Sequence, residues 1–137
     1  MLAQLLGSTQ FRTGDEDLDR LLNEAVAKFH EPRADFRKES LEKLWDAWER
    51  LKTLYSSNKK ASTEKLLKKA IPDPKFRDRI NNEAQELTNI GNAFMIRHTE
   101  TDTIPIQGES QVDYLFFRLF ALIWLLLKET GRLAEVR

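Results

Sequence analysis

Apolar residues recur along most of the chain at the three- and four-residue spacing of a helix that is buried on one side. The first such stripe lies between Asp15 and Phe29, and Pro32 interrupts it. It predicts a helix of about four turns, whose start is marked by a capping box formed by Thr13 and Glu16. The stripe consists of Leu18, Leu21, Leu22, Ala25, Val26 and Phe29.

A second stripe predicts a helix from about Arg33 to Tyr55. It includes Trp45 and Trp48, one turn apart, a spacing more typical of a packing seam than of a ligand site. The residues that follow, 56–62 (SSNKKAS), have the composition of a linker, and a short third helix is predicted over residues 63–70.

The fourth predicted helix has a strong start signal, because Asp73 is a favoured N-cap and Pro74 occupies the first helical position. Its apolar stripe continues to about His98, and Pro105 excludes a helix in the following segment. A fifth helix is predicted over residues 111–130.

Start and stop signals flank this fifth helix. Ser110 and Asp113 have the spacing of a capping box, and Gly131 is a natural C-terminal cap. The whole pattern predicts an all-α bundle of about five helices. We expect one domain over residues 1–137, with an irregular segment at 1–14 and the bundle at 15–131.

The last predicted helix is apolar on nearly all sides, with 13 apolar residues of 14 between Tyr114 and Leu127, interrupted by Arg118. Because a bilayer-spanning helix needs about 20 apolar residues, we expect a soluble helix and no membrane association. Such a helix is either central in the core or covered by another chain. Full burial and homodimerisation therefore stay open, and the dimer contacts would come from Phe116, Phe117, Phe120 and Trp124.

Composition agrees with this helical pattern, since the 137 residues include only 5 glycines and 4 prolines. The absence of cysteine excludes disulfides, a thiolate nucleophile and a zinc–sulfur site. The first residues, MLAQLL, are too short for the apolar region of a secretory signal. We therefore expect a cytoplasmic protein.

The net charge is zero, but the charges are unevenly distributed along the chain. Residues 15–49 carry eleven acids and six bases, whereas residues 58–79 carry eight bases and three acids. The basic tract is a candidate surface for the RNA backbone, although lysines on a solvated helix are also commonplace. The candidate RNA-binding residues are Lys59, Lys60, Lys65, Lys68 and Lys69.

Several enzyme classes find no support in the chain. The two histidines, His30 and His98, end different predicted helices without clustered carboxylates, so we expect no metal site. No glycine-rich phosphate loop and no Gly-x-Ser-x-Gly elbow is present. We therefore expect no cofactor.

One polar cluster remains, where the fourth predicted helix ends. Arg97 and His98 extend its apolar stripe, and Glu100 and Asp102 follow in the loop. Cations at a helix C-terminus suit the helix dipole, which is a purely structural interpretation. Alternatively, metal-free RNA cleavage needs a cation for the phosphorane and proton-transferring groups, which Arg97 and His98 could supply.

Three segments together resemble the HEPN superfamily, and more narrowly the C-terminal domains of abortive-infection-like proteins. They are SLEKLWDAWERLKTL at 40–54, LTNIGNAFMIRHTE at 87–100 and DYLFFRLFALIWLLLK at 113–128. The resemblance covers roughly residues 15–130. It implies a small helical bundle that dimerises and acts in bacterial antiphage or toxin–antitoxin systems. Many members are metal-independent endoribonucleases, and others are RNA-binding or assembly modules.

The family motif is an Arg, then Asn, Asp or His, then a second His after four to six intervening residues. Arg97 and His98 match its first two positions, whereas Asp102, Thr103 and Ile104 stand where the second His is expected. The resemblance thus implies an RNA-directed module. Either it is an endoribonuclease in which His98 transfers the proton and Glu100 or Asp102 orients it, or it is a non-catalytic homodimerisation domain. It also implies a piece of a larger defence protein with an N-terminal effector or sensor domain.

Overall fold

The computed structural model describes residues 10–94, 106 and 108–133, and within them the chain is all-helical. Five helices follow one another, and no strand occurs in these ranges. They are α1 (Glu16–Phe29), α2 (Ala34–Leu51), α3 (Lys59–Ala70), α4 (Pro74–Ala93) and α5 (Glu109–Glu129). The prediction of an all-α bundle of about five helices is therefore confirmed.

Helix α1 is capped by Asp15 and not by the predicted box of Thr13 and Glu16. The Asp15 carboxylate accepts the backbone N–H of Leu18 at 2.9 Å and also binds the Arg50 guanidinium at 2.9 and 2.7 Å. The Thr13 hydroxyl instead donates to the Asp19 carboxylate at 2.6 Å. A carboxylate can cap the helix and pair with a cation at once, which a hydroxyl cannot do.

The boundary between α2 and α3 differs from the prediction. Helix α2 ends at Leu51, and α3 begins at Lys59, inside the segment predicted to be a linker. The Asn58 side chain caps α3 by accepting the N–H of Ala61 at 3.0 Å. Ser62, in the first turn, is buried and accepts the N–H of Tyr55 at 2.9 Å. Residues 59–62 therefore form the first turn of a helix, in which the Asn58 side chain accepts the N–H of Ala61 and the Asn58 carbonyl accepts the N–H of Ser62.

Helix α4 begins as predicted, with the Asp73 carboxylate accepting the N–H of Phe76 at 2.7 Å and with Pro74 in the first turn. It ends at Ala93, earlier than the predicted end near His98, because Phe94 leaves the helical backbone conformation. Near this end, Gly91 packs directly against the ring of Trp45 on α2.

Helix α5 begins at Glu109, and its N-cap is Gly108, whose φ of 84° is a conformation that glycine adopts without strain. The predicted capping box of Ser110 and Asp113 does not form, since Asp113 pairs with Arg37 on α2. At the other end, Gly131 has a φ of 74°, so the predicted glycine stop is confirmed.

The core forms around α5, which packs against α2 and α3 and contacts α1 through stacked rings. Phe116 lies 4.2 Å from Phe29 between ring centroids, and Phe120 meets Phe11 edge to face at 6.2 Å. The burial of α5 is incomplete, because Tyr114 remains 58% exposed and Phe117 48% exposed.

By length and composition alone, α5 is also long and apolar enough to cross a membrane. Half of its most apolar 18-residue window is buried inside the molecule. The core helix of a soluble protein can have the same character, so this property does not distinguish the two settings.

Candidate functional site: a basic groove between α3 and α4

A groove of about 670 Å³ opens between α3 and α4, with the end of α2 as its floor. Its size falls within the range of ligand-binding clefts, about 300–1,000 Å³. The α2 floor consists of Trp48 and Lys52. The α3 wall consists of Lys59, Lys60, Thr63, Glu64, Leu67 and Lys68, and the α4 wall of Arg77, Asp78, Asn81, Ala84, Gln85 and Thr88.

The residues of each wall lie on one face of their helix because of their spacing in the sequence. On α3 the lining positions recur every three or four residues, so they share one face, while Leu66 and Ala70 point to the core from another. On α4 the positions 77, 81, 84 and 88 form a similar line. Five cations and two acids line the groove, which gives it an excess of positive charge.

The charge at the floor is organised around Glu49. Its carboxylate pairs with Lys59 on α3 and lies 3.2 Å from Nζ of Lys52. The Lys52 side chain is only 7% exposed, and Nζ also lies 3.4 Å from the Thr88 hydroxyl and 5.0 Å from the Trp48 ring centroid. Two lysines thus share one carboxylate at the base of the groove.

Burial acts in opposite directions on the pKa values of Lys52 and Glu49. Burial lowers the pKa of Lys52 below its usual value, although the nearby Glu49 carboxylate acts in the other direction. Burial alone would raise the pKa of Glu49, but the hydrogen bond from Lys59 and the charge of Lys52 outweigh it, so this pKa is lowered. Glu49 is therefore held ionised between two cations.

Trp48 contributes a buried hydrogen-bond donor, its indole N–H, to the groove region. Its side chain is fully buried, and its indole N–H has no hydrogen-bond partner among the residues that the structure describes. Buried hydrogen-bond donors are normally paired, so an unpaired donor in a residue that lines a groove requires an explanation.

The five predicted RNA-binding lysines divide into two groups. Lys59, Lys60 and Lys68 line the groove. Lys65 is exposed away from it, and Lys69 also lies outside it, with Nζ 5.6 Å from the Tyr55 ring centroid. Variants of Lys65 and Lys69 can therefore serve as controls for variants of the groove lysines, because they remove the same charge from the same helix.

Sequence reasoning missed Lys52 and Arg77, the other two cations of the groove. The signal for Lys52 was present, since it stands four residues after Trp48 on the buried stripe of α2, where a charge is unusual. Arg77 gave no such signal. Its guanidinium donates to the carbonyls of Ile71 and Pro72 at 3.0 and 3.3 Å, contacts that depend on how the chain turns before α4.

The predicted catalytic residues Arg97, His98, Glu100 and Asp102 lie outside the described residues. Helix α4, which precedes them, carries one wall of the groove. Among the described residues, no group of three or more His, Asp or Glu side chains has the arrangement of a metal site.

The four residues predicted to form a dimer interface differ in their exposure to solvent. Phe116 and Phe120 belong to the core of the chain itself, and Trp124 is partly buried. Phe117 is half exposed, and Tyr114, one turn before it, is the most exposed aromatic residue on α5. Only part of the predicted set is therefore accessible to a second chain.

Comparison with protein-family models, with curated proteins and with solved structures gives no match to this chain.

Proposed function

We propose that the chain is an RNA-binding module of HEPN-like type that holds the phosphate backbone in the groove between α3 and α4. The observation that carries the proposal is the α3 wall, where Lys59, Lys60 and Lys68 face one concave surface. Phosphate contacts supply most of the affinity of nucleic-acid binding, and they need cations grouped on one surface. The antiphage or toxin setting rests on the resemblance to that superfamily.

A neutral net charge does not oppose this function, because binding responds to the local potential. At the floor, Glu49 is already paired with Lys52 and Lys59, so it offers little repulsion to an incoming phosphate. Lys60 and Lys68 have no acidic partner among the described residues and stay exposed at the rim. They are the cations best placed to release counterions on binding.

Fluorescence anisotropy with a labelled single-stranded RNA, measured at several salt concentrations, tests the proposal. The variant Lys60→Gln/Lys68→Gln loses two groove cations, and Lys65→Gln/Lys69→Gln loses two cations of the same helix outside the groove. We expect the first variant to bind at least tenfold more weakly and its salt slope to fall by about 1.4, at about 0.7 per phosphate contact. The control should change far less. Equal losses in both variants, or no RNA binding by the wild type, would overturn the proposal.

We further propose that Arg97 and His98 cleave the bound strand. Thr88, the last groove residue on α4, precedes the end of that helix at Ala93 by five residues, or about 8 Å of helix. A strand lying along α4 would therefore extend toward the segment that contains the motif. In this reaction the 2′-oxygen attacks the phosphorus and the bond from phosphorus to the 5′-oxygen breaks. Arg97 stabilises the charged phosphorane, and His98 either removes the 2′-hydroxyl proton or protonates the leaving 5′-oxygen, with Glu100 or Asp102 orienting it.

Incubation of the protein with total RNA in EDTA tests cleavage. We expect the wild type to cleave and both Arg97→Ala and His98→Ala to be inactive while still binding RNA. Cleavage that survives in His98→Ala would contradict the role of that residue. A wild type that binds RNA without cutting it would exclude the nuclease and leave the RNA-binding module intact.

A second candidate function, homodimerisation, is favoured by the exposed stripe on α5. Tyr114, Phe117 and Ala121 are exposed and lie on one side of the helix, since they are spaced by three and four residues. Phe117 meets Phe29 and Phe116 edge to face, so the exposed stripe continues directly into the core. A second copy that packs its own α5 there would cover both aromatic rings.

Sizing with light scattering across a range of protein concentrations tests this candidate. We expect a dimer for the wild type and a monomer for Tyr114→Ser/Phe117→Ser. Gln111→Ser, an exposed position at the start of the same helix, is the control and should remain dimeric. A wild type that stays monomeric at all concentrations would exclude the dimer.

A further inference from the structure

The two walls of the groove differ in chemistry. The α3 wall presents ammonium groups from Lys59, Lys60 and Lys68. The α4 wall presents one cation and one acid, Arg77 and Asp78, and it adds two uncharged amide side chains, Asn81 and Gln85, both exposed and one turn apart. Cations hold phosphates without regard to sequence, whereas amides match the donor and acceptor pattern of base edges.

Several polar groups on the α4 wall already have partners, including the Arg77 guanidinium, which donates to the carbonyls of Ile71 and Pro72. The Thr88 hydroxyl donates to the carbonyl of Ala84 at 3.0 Å and lies 3.4 Å from Nζ of Lys52. The amide nitrogen of Gln85 donates to the Asn89 side chain at 3.1 Å, which orients the amide and leaves its carbonyl oxygen as an acceptor. Asn81 and Gln85 are therefore the groups able to meet a base.

The shape of the groove discriminates between forms of RNA. In an A-form duplex the bases are paired inside, and the deep major groove keeps their edges from side chains. A concave site of about 670 Å³ between two helices accepts a short extended strand, and it offers a duplex only its rim.

Building on the RNA-binding function proposed above, we infer that the groove takes a single-stranded RNA segment, with phosphates on the lysines of α3 and base edges on Asn81 and Gln85. The buried Trp48 indole N–H, unpartnered among the described residues, lies in a residue that lines the same groove. The site is thus a single-strand reader with a preference among bases.

Anisotropy titrations with labelled A8, C8 and U8 oligonucleotides, and with a duplex of equal length, test the inference at one fixed salt concentration. We expect the preferred single strand to bind at least tenfold more tightly than the duplex. In Asn81→Ala/Gln85→Ala, the differences among the three oligonucleotides should shrink to within about twofold, with an unchanged salt slope. In Lys60→Gln/Lys68→Gln, all three should weaken by a similar factor.

Asn82→Ala is the matched control, because Asn82 is exposed on α4 but does not line the groove. It should keep the wild-type preference, and circular dichroism should show that every variant is folded. If the duplex binds as tightly as the single strands, or if the amide variant keeps the wild-type preference, the inference falls while RNA binding stands. If no RNA binds, the proposed function itself falls. If polyglutamate competes as well as RNA, the groove binds acidic chains in general and the base-reading role is refuted.

Discussion

Lys52 illustrates how a single residue can carry both packing and charge in this protein. Its ammonium group lies over the ring of Trp48 and is paired with Glu49 and Thr88 at the floor of the groove. Removing one partner from such a buried pair leaves an uncompensated charge and is costly, whereas the intact pair adds little net stability.

Gly91 permits the close approach of α4 and α2. A methyl group at this position would lie 2.1 Å from the Trp45 ring, which is itself buried. We expect Gly91→Ala to lower the free energy of unfolding by up to about 2 kcal/mol, because overpacking costs about 1–3 kcal/mol and the gain in helix propensity returns about 1 kcal/mol. Urea denaturation measures the change. Asn92→Ala, at the exposed neighbouring position, should be neutral or stabilising, and equal stability of the two variants would refute the packing argument.

Asp15 links stability to pH. The hydrogen bond from Arg50 holds the pKa of Asp15 below its usual value, so the folded form keeps the carboxylate at a pH where the unfolded chain takes up a proton. This contribution is complete above the unfolded pKa of about 3.8 and is lost as pH falls through the folded pKa.

We therefore expect Asp15→Asn to be less stable than the wild type at neutral pH, with the difference shrinking below about pH 4. Asparagine can still cap α1, so the pH-dependent part reports the charge alone. Chemical denaturation at pH 7, 5 and 3 measures it. Asp17→Asn, an exposed carboxylate in the same first turn, is the control, and the same pH dependence in both variants would contradict the role of the Arg50 pair.

Among the elements, α3 departs most from its pattern in the sequence. Its first turn carries Lys59, Lys60 and Ser62, whose composition is typical of a linker. These residues are helical because Asn58 caps the turn and Ser62 receives the N–H of Tyr55 from the end of the α2 region. The second of these contacts joins residues seven positions apart across the turn before the helix, and helix propensity alone does not encode it.

The cap at Asn58 is expected to control both the stability of α3 and RNA binding. Asn58→Ala should cost about 1 kcal/mol and fray the turn that carries Lys59 and Lys60, so RNA affinity should also fall. Asn58→Ser keeps a capping oxygen and should stay close to the wild type in both properties. Thermal unfolding and anisotropy measure the two effects, and equal behaviour of both variants would show that the cap has no influence.

At the scale of the whole molecule, Arg132 connects the two ends of the described chain. Its guanidinium donates to the carbonyl of Thr13 and to the hydroxyl of Tyr55, each at 2.9 Å. The segment before α1 is also anchored by Phe11, which packs on Phe120 and whose N–H bonds the Asn23 side chain at 2.9 Å. These contacts join residues far apart in sequence and close the bundle around α5.

Arg132→Ala should loosen the segment before α1 without unfolding the bundle. We expect faster hydrogen exchange at the amides of Phe11 and Thr13, because both amides are bonded only to side chains of α1. Exchange in the middle of α2 should not change. Arg12→Ala, an exposed arginine in the same segment, is the control. Unchanged exchange in Arg132→Ala would show that the contacts of Phe11 and Thr13 hold the segment without Arg132.

The sequence by itself determined the helical class, the approximate position of all five helices and the start of α4, because apolar periodicity and caps such as Asp73 are local signals. It also identified the basic tract. Only the tertiary structure decided which lysines share a surface, since Lys68 and Lys69 are neighbours in sequence and only Lys68 lines the groove. It likewise placed Lys52 at the floor of the groove and Arg77 on the α4 wall, and it identified Asp15 as the N-cap of α1. Such outcomes depend on how helices face one another, and helix packing is set by contacts between residues distant in sequence.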